Sequence, residues 1–360
     1  MAAFSLSPAE RAQVLLLRAL RALPAVAKRA LAGAPTRVDG QELDLDVQVL
    51  LRLLRLAPQP PKSSMTPDMA REQMRRSTAV LAGTPPPVEK IEELELPGHS
   101  GARLYTPYRA GSGEARPLLV YLHGGGWVSG DLDTHDVPCR LLAAEGGVLV
   151  LSVDYRRAPK QEFPAAVDDA LAAFGWAHEH AAELGGDPAR VAIGGDSAGG
   201  NLAAVVSRLA RDGGGPVPAM QLLIYPVIDL SVKHPSYRRF AEGFYLEEAD
   251  MDWYRDHYLP GDHAVNDPRV SPLLADDLAG LPPAYIATAG FDPLRDEGEA
   301  YAEALQAAGV PAALRRHPGL IHGFANLTAF LPAARAAMLE AAGALRMGLA
   351  PASAQPGNDQ

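Results

Sequence analysis

Residues 194–201 read "GGDSAGGN", an acid and a hydroxyl set among four glycines. Glycine buries no side chain and loses the most backbone entropy on folding, so this stretch must need a backbone shape or a close approach that a Cβ would block. Before it stands the short apolar run "RVAI" (190–193). After it "AGGNLAAVVSRLARDGG" repeats apolar residues at helical spacing. The glycines therefore occupy a turn from a strand into a helix, and Gly195-Asp196-Ser197-Ala198-Gly199 fits the G-x-S-x-G nucleophile elbow. In that turn Ser197 is pushed into a strained conformation with its hydroxyl clear of the sheet. The N-terminus of the following helix points N–H donors at any anion that develops there. A phosphate-binding loop is the competing reading. It fails because no lysine follows these glycines, and G-x-G-x-x-G matches neither here nor at "HGGGWVSG" (123–130).

Working outward, short β-rich runs alternate with helical patterns from about residue 96. "PLLVYLH" leads into a glycine loop, "GVLVLSVDY" precedes the helical "FPAAVDDALAAFGWAHEH", and "AMQLLIYPV" and "AYIATAG" are further continuous apolar runs. Near-continuous apolar strands separated by helices predict a doubly wound α/β domain, its mostly parallel central sheet flanked by helices. Ligands in such sheets bind at the carboxyl ends of the strands, where these glycine loops fall.

A serine needs a base to take its proton, and the base needs an acid to orient it. Downstream, "AYIATAGFDPLRDEG" delivers Asp292 at a strand end, with Asp296 and Glu297 as rivals inside the next helix. "LRRHPGLIHGF" delivers His317 and His322, and His322, beside Gly323 in a turn-like stretch, is the preferred base. Upstream, "VYLHGGGW" carries His123, Gly124, Gly125 and Gly126, an HGGG-type oxyanion loop whose N–H groups face a substrate carbonyl, with the Ala198 N–H completing the hole. Asp196 either tunes the site or, as we prefer, hydrogen-bonds within the elbow. Trp127 packs beside the oxyanion loop. Phe244, Tyr245, Trp253 and Tyr254 either line a substrate pocket or pack an inserted helix.

The 360 residues suffice for one large domain, or for a core domain with a smaller one. A net charge of −10 argues against a general nucleic-acid binder. The single cysteine, Cys139, excludes an intrachain disulfide and reads as a buried core thiol; with it we expect a cytoplasmic protein. No run is long enough for an integral membrane span. The N-terminal "SPAERAQVLLLRALRALPAVAKRALAG" is interrupted by Arg18, Arg21, Lys28 and Arg29. It reads as an amphipathic helix with Ser7 as N-cap and Pro24 as a break, either a lid or packing helix or a membrane-surface helix. Residues 1–95 are expected to form an N-terminal helical region, with 1–35 a possible extension, residues 96–350 the catalytic domain, and residues 351–360 a frayed tail.

Together "HGGGW", "GDSAGGNLA", "DPLRDEG" and "HGF" make the chain resemble the hormone-sensitive-lipase family of carboxylesterases, over roughly residues 40–345. "FPAAVDDA", "YPVIDLS" and "SPLLADDLAGLPPA" also fit that family. It departs at "YRRAPK", with Arg157 and Lys160 where the family often has Y-R-L-A-P-E. The resemblance implies an α/β-hydrolase fold with an N-terminal helical cap. It implies Ser197 as nucleophile, His322 as base, Asp292 as orienting acid, and Gly125, Gly126 and Ala198 as oxyanion donors. It implies no metal or organic cofactor, a small-molecule ester as the partner, and a monomer or homodimer. Short- to medium-chain esters are the expected substrates. An amidase or acyltransferase with the same triad, or a non-catalytic ligand-binding protein on this fold, are the alternatives.

Overall fold

Ser7 begins the first helix as its spacing to Glu10 requires. Its hydroxyl accepts from the Glu10 N–H while the Glu10 carboxylate accepts from the Ser7 N–H, a complete capping box. The computed structural model describes residues 6–56, 60–81, 83–97, 101–108, 115–259 and 261–351, so nearly all of the expected tail lies outside the described residues. Helix α1 (Pro8–Ala22) is followed at Pro24 by α2 (Ala25–Ala32), then by a two-residue hairpin, β1 (Arg37–Val38) and β2 (Gln41–Glu42). Helices α3 (Leu45–Leu56) and α4 (Pro67–Leu81) complete the N-terminal helices. No residue of α1 or α2 is buried, whereas Val47, Leu50 and Leu51 on the apolar stripe of α3 are.

The apolar runs form one eight-stranded sheet. Its strands are β3 (Lys90–Glu95), β4 (Gly101–Thr106), β5 (Arg116–Leu122), β6 (Leu149–Asp154), β7 (Gly186–Asp196), β8 (Gln221–Ile224), β9 (Ala284–Phe291) and β10 (Ala312–Ile321). They lie in the order β10-β9-β8-β7-β5-β6-β4-β3. From β6 to β10 all neighbours are parallel, and β4 turns antiparallel against β6 and β3. The sheet therefore starts at Lys90, ahead of the expected boundary at residue 96. "KIEELE" has only two apolar residues, Ile91 and Leu94, and is only part-buried, because β3 is an edge strand.

Side chains alternate between two cores, as the strand period dictates. Leu118, Val120 and Leu122 of β5 face the layer of α6 (Ala165–Glu179), α7 (Ala198–Asp212) and α10 (Arg295–Ala307). Leu119 and Tyr121 face the layer of α3, α5 (Asp136–Gly146) and α11 (Pro332–Gly348). Cys139 on α5 is fully buried in this second core. Two shorter helices, α8 (Pro235–Arg239) and α9 (Glu248–Tyr258), stand between β8 and β9.

The chain runs from β5 to β6 on one side and returns to β7 on the other, so the strand order reverses around β5. Leu122 at the end of β5 pairs with Gly195 near the end of β7. The HGGG loop and the elbow therefore leave the sheet side by side, at the switch point where α/β sheets bind ligands.

Candidate active site

The elbow glycines are explained by contact between backbones. A Cβ on Gly195 or on Gly199 would run into the carbonyl of Leu122. Between them Ser197 adopts φ 55° and ψ −119°, a conformation that costs a non-glycine residue of order 1–3 kcal/mol. Its surroundings over-determine it. The Ser197 N–H donates to the Ile224 carbonyl (2.9 Å), and its own carbonyl accepts from Asn201 (3.0 Å) and Val227 (3.2 Å). Since the bonding of α7 begins at the Asn201 N–H, the Ala198 N–H lies outside the helix ladder, at the positive end of the helix dipole.

Three residues from separate strand ends meet here. His322 Nε2 lies 3.0 Å from Ser197 Oγ, and His322 Nδ1 lies 2.9 Å from Asp292 Oδ2. With Nδ1 carrying the proton, it donates to Asp292 and leaves Nε2 free to accept from the serine hydroxyl. Asp292 is fully buried, and its other oxygen accepts from the Leu294 N–H at 2.9 Å, which fixes the carboxylate plane. The rivals fall elsewhere. His317 packs edge-on to Phe324, within β10, and burial lowers its pKa. Asp296 pairs with Arg295 and accepts from the Ser236 N–H. Glu297 is fully buried against the N–H groups of Ile228 and Asp229, and burial raises its carboxyl well above the usual range.

The glycine loop is held from beneath by Asp196. Asp196 Oδ1 accepts from the Tyr121 hydroxyl (2.7 Å) and from the Gly124 N–H (3.0 Å), and lies 3.3 Å from His135 Nε2. Asp196 Oδ2 accepts from the Tyr225 hydroxyl at 3.3 Å. Burial opposes the charged form of Asp196, yet the charge and hydrogen bond of His135, with those of Tyr121 and Gly124, outweigh it and hold the carboxyl at about 2. The bonds thus reach far beyond the elbow, where we expected them to stay. His123 is buried against Tyr155 (rings stacked at 4.2 Å), and burial, then the charges of His135 and Arg157, lower it to about 3, so it stays neutral. Its carbonyl accepts from the Tyr155 hydroxyl at 2.6 Å. Gly125 and Gly126 follow with φ 120° and 59°, backbone shapes that glycine adopts at little cost.

Other side chains shape the walls. Tyr254 of α9 lies so close to Gly126 that a Cβ there would strike its ring. Lys62 binds Asp250 at 3.1 Å and stands 5.7 Å over the Tyr254 ring, tying the N-terminal region to α9. Tyr245, partly exposed, approaches Gly323 next to His322. Trp127 is fully buried and stacks on Tyr258 at 4.2 Å, Trp253 packs against Tyr254, and Phe244 packs with Phe240 and Phe291. Arg157, the departure from the family pattern, donates to the Gly130 carbonyl and pairs with Asp154 at 3.2 Å, bracing the same loop. Tyr121, His135 and Tyr225 carry no sign of this role in the sequence, since nothing in their local spacing marks a partner dozens of positions away. Among the described residues no group of three or more His, Cys, Asp or Glu side chains is placed to hold a metal ion, and no helix is long and apolar enough to cross a membrane.

Comparison with known proteins shows the family of the chain. A family model described as the alpha/beta hydrolase fold matches residues 119–326. The chain is 48% identical over 316 residues to the carboxylic ester hydrolase LipN of Mycobacterium tuberculosis, covering 85% of this chain and 83% of that protein. It is 41% identical to an ethyl acetate hydrolase of Pseudomonas putida, over 74% of this chain and 86% of that one. Among solved structures, an ester hydrolase from the metagenome of Lake Arreo, complexed with a bipyridine phosphonate derivative, superposes with a TM-score of 0.82 at 42% identity. That match covers 85% of this chain and 98% of the other. The chain belongs to the alpha/beta hydrolase family, among the carboxylic ester hydrolases that resemble hormone-sensitive lipase.

Proposed function

We propose that the protein hydrolyses short- to medium-chain carboxylic esters through an acyl-enzyme on Ser197. The observation that carries this reading is the unbroken chain Ser197 Oγ, His322 Nε2, His322 Nδ1, Asp292 Oδ2, with links of 3.0 and 2.9 Å. Ser197 Oγ attacks the ester carbonyl while His322 Nε2 takes its proton. Negative charge collects on the former carbonyl oxygen, which the N–H groups of Gly125, Gly126 and Ala198 stabilise. Each such donor is worth about 2.7–4 kcal/mol in the transition state. The tetrahedral intermediate collapses, the C–O bond to the alcohol breaks, and His322 returns its proton to the leaving alkoxide. Water then attacks the acyl-enzyme by the same route, releasing the acid and restoring Ser197. Asp292 holds the histidine tautomer and stabilises the imidazolium without taking its proton.

The N-terminal helices, ending at Leu81, fit a cap region, since Lys62 reaches the Tyr254 wall beside Gly126, whereas residues 90–95 belong to the sheet. The lone buried thiol fits a cytoplasmic location. The test is hydrolysis of a p-nitrophenyl ester series from acetate to decanoate by wild type, Ser197→Ala and His322→Ala. Activity lost in both variants, with an optimum at short to medium chains, is expected. Turnover retained in Ser197→Ala would overturn the assignment, and a folded wild type without activity on any ester would favour an amide substrate or a binding role.

A further inference from the structure

Helix α1 lies across a cleft that the proposed chemistry does not use. The cleft, of about 710 Å³, runs between α1, the end of α4, the outer face of α5 and the segment 328–330. That is within the roughly 300–1,000 Å³ of small-molecule sites. Its floor is apolar, formed by Val137, Leu141 and Phe330, with Leu17 of α1 above. Its polar lining has one sign. Arg18, Arg21 and Arg335 border it and, among the described residues, no carboxylate does, on a chain whose net charge is −10. Arg21 donates to the Ala329 carbonyl at 2.7 Å, and Arg335 has only a 3.5 Å contact with Glu145. Arg18 has no hydrogen-bonding or ionic partner among the described residues. The helix above is incompletely packed, with Val14, Leu17 and Leu20 only half-buried.

We propose that this cleft binds a free alkyl carboxylate, its chain along Leu17, Leu141 and Phe330 and its head group at Arg18. An apolar trough selects an aliphatic chain, and Arg18, a cation without a competing acid, selects an anionic head over an alcohol or an uncleaved ester. Ester hydrolysis releases such acids, so the origin of the ligand rests on the proposed activity, while the binding site itself does not. An occupying chain completes the burial of the inner face of α1 and holds the helix down.

The test is hydrogen exchange of the full-length protein with dodecanoate, with dodecan-1-ol, and with phosphatidylglycerol vesicles, followed at α1 and α5. Dodecanoate below its micellar range is expected to slow exchange in α1 saturably, and dodecanol to do so far more weakly. Arg18→Glu, at an unpartnered surface position, should raise the dodecanoate concentration required by on the order of tenfold. Leu17→Trp, which fills the trough from the half-buried side, should abolish the effect. Both variants should keep wild-type hydrolysis of p-nitrophenyl acetate, a control that separates failure of this site from failure of the catalytic assignment. Exchange in α1 that ignores dodecanoate, responds equally to dodecanol, or slows only on vesicles would overturn the proposal. So would a dodecanoate response unchanged in both variants.

Discussion

Replacing Asp196 with asparagine removes the charge on which the base of the site converges while keeping the side-chain shape. In the folded protein the carboxyl is held at about 2 against an ordinary value of 3.8. By linkage that difference corresponds to roughly 2–3 kcal/mol of stability. The hydrogen bonds point to a similar figure, since four neighbours face a charged acceptor and the amide retains only one acceptor oxygen. Because the folded pKa is depressed, the contribution is fully present above the unfolded value near pH 4 and is lost as pH falls through the folded value. About half of it should be gone by pH 3. Urea unfolding of wild type and Asp196→Asn from pH 7 to pH 3 should therefore show a gap of roughly 2–3 kcal/mol that narrows with acid. Since Asp196 also holds the Gly124 N–H, turnover of a short ester should fall roughly tenfold, about the cost of one loosened hydrogen bond to a charged group. Equal stabilities at pH 7, or a gap that stays constant down to pH 3, would refute the reasoning.

Other substitutions separate the parts of the site. Asp292→Asn should leave the fold intact and lower kcat on the order of 10⁴-fold by favouring the wrong histidine tautomer, measured on p-nitrophenyl butyrate. Tyr254→Ala opens the space over Gly126 and should lower kcat by about 10–100-fold, whereas Tyr254→Phe, which keeps the ring, should stay near wild type. Burial pushes the Cys139 thiol well above its ordinary value, so a thiol-reactive chromogenic disulfide should leave the native protein unlabelled and label it once on unfolding. Fast labelling of the native protein would contradict its place in the core.

The strands were legible where both faces are buried. "PLLVYL", "LVLSV" and "AYIATAG" read as unbroken apolar runs because helices cover the sheet on each side. "KIEELE" escaped because an edge strand with part-exposed faces has no such run. The elbow was legible because its glycines answer a local steric demand that leaves a mark within five residues. The anchoring of Asp196 left none. Its partners Tyr121, His135 and Tyr225 lie 75, 61 and 29 positions away and are brought together only by the strand order around β5. For α1, the capping box and periodicity were readable, but which surface its apolar stripe meets is a property of the folded body.

The contact of Gly195 and Gly199 with the Leu122 carbonyl has a consequence for how this enzyme class diversifies. Two stretches of main chain touching without side chains between them leave no adjustable spacer, so Ser197 and the loop beside it behave as one casting. Shape changes that tune the choice of ester must then come from parts bolted on from outside. Residues 240–258 and the segment around Lys62 are such parts, joined to each other through an ion pair and a ring face and set against the casting where the Tyr254 ring meets Gly126. Exchanging them as a cassette should retarget the enzyme while leaving its chemical step untouched.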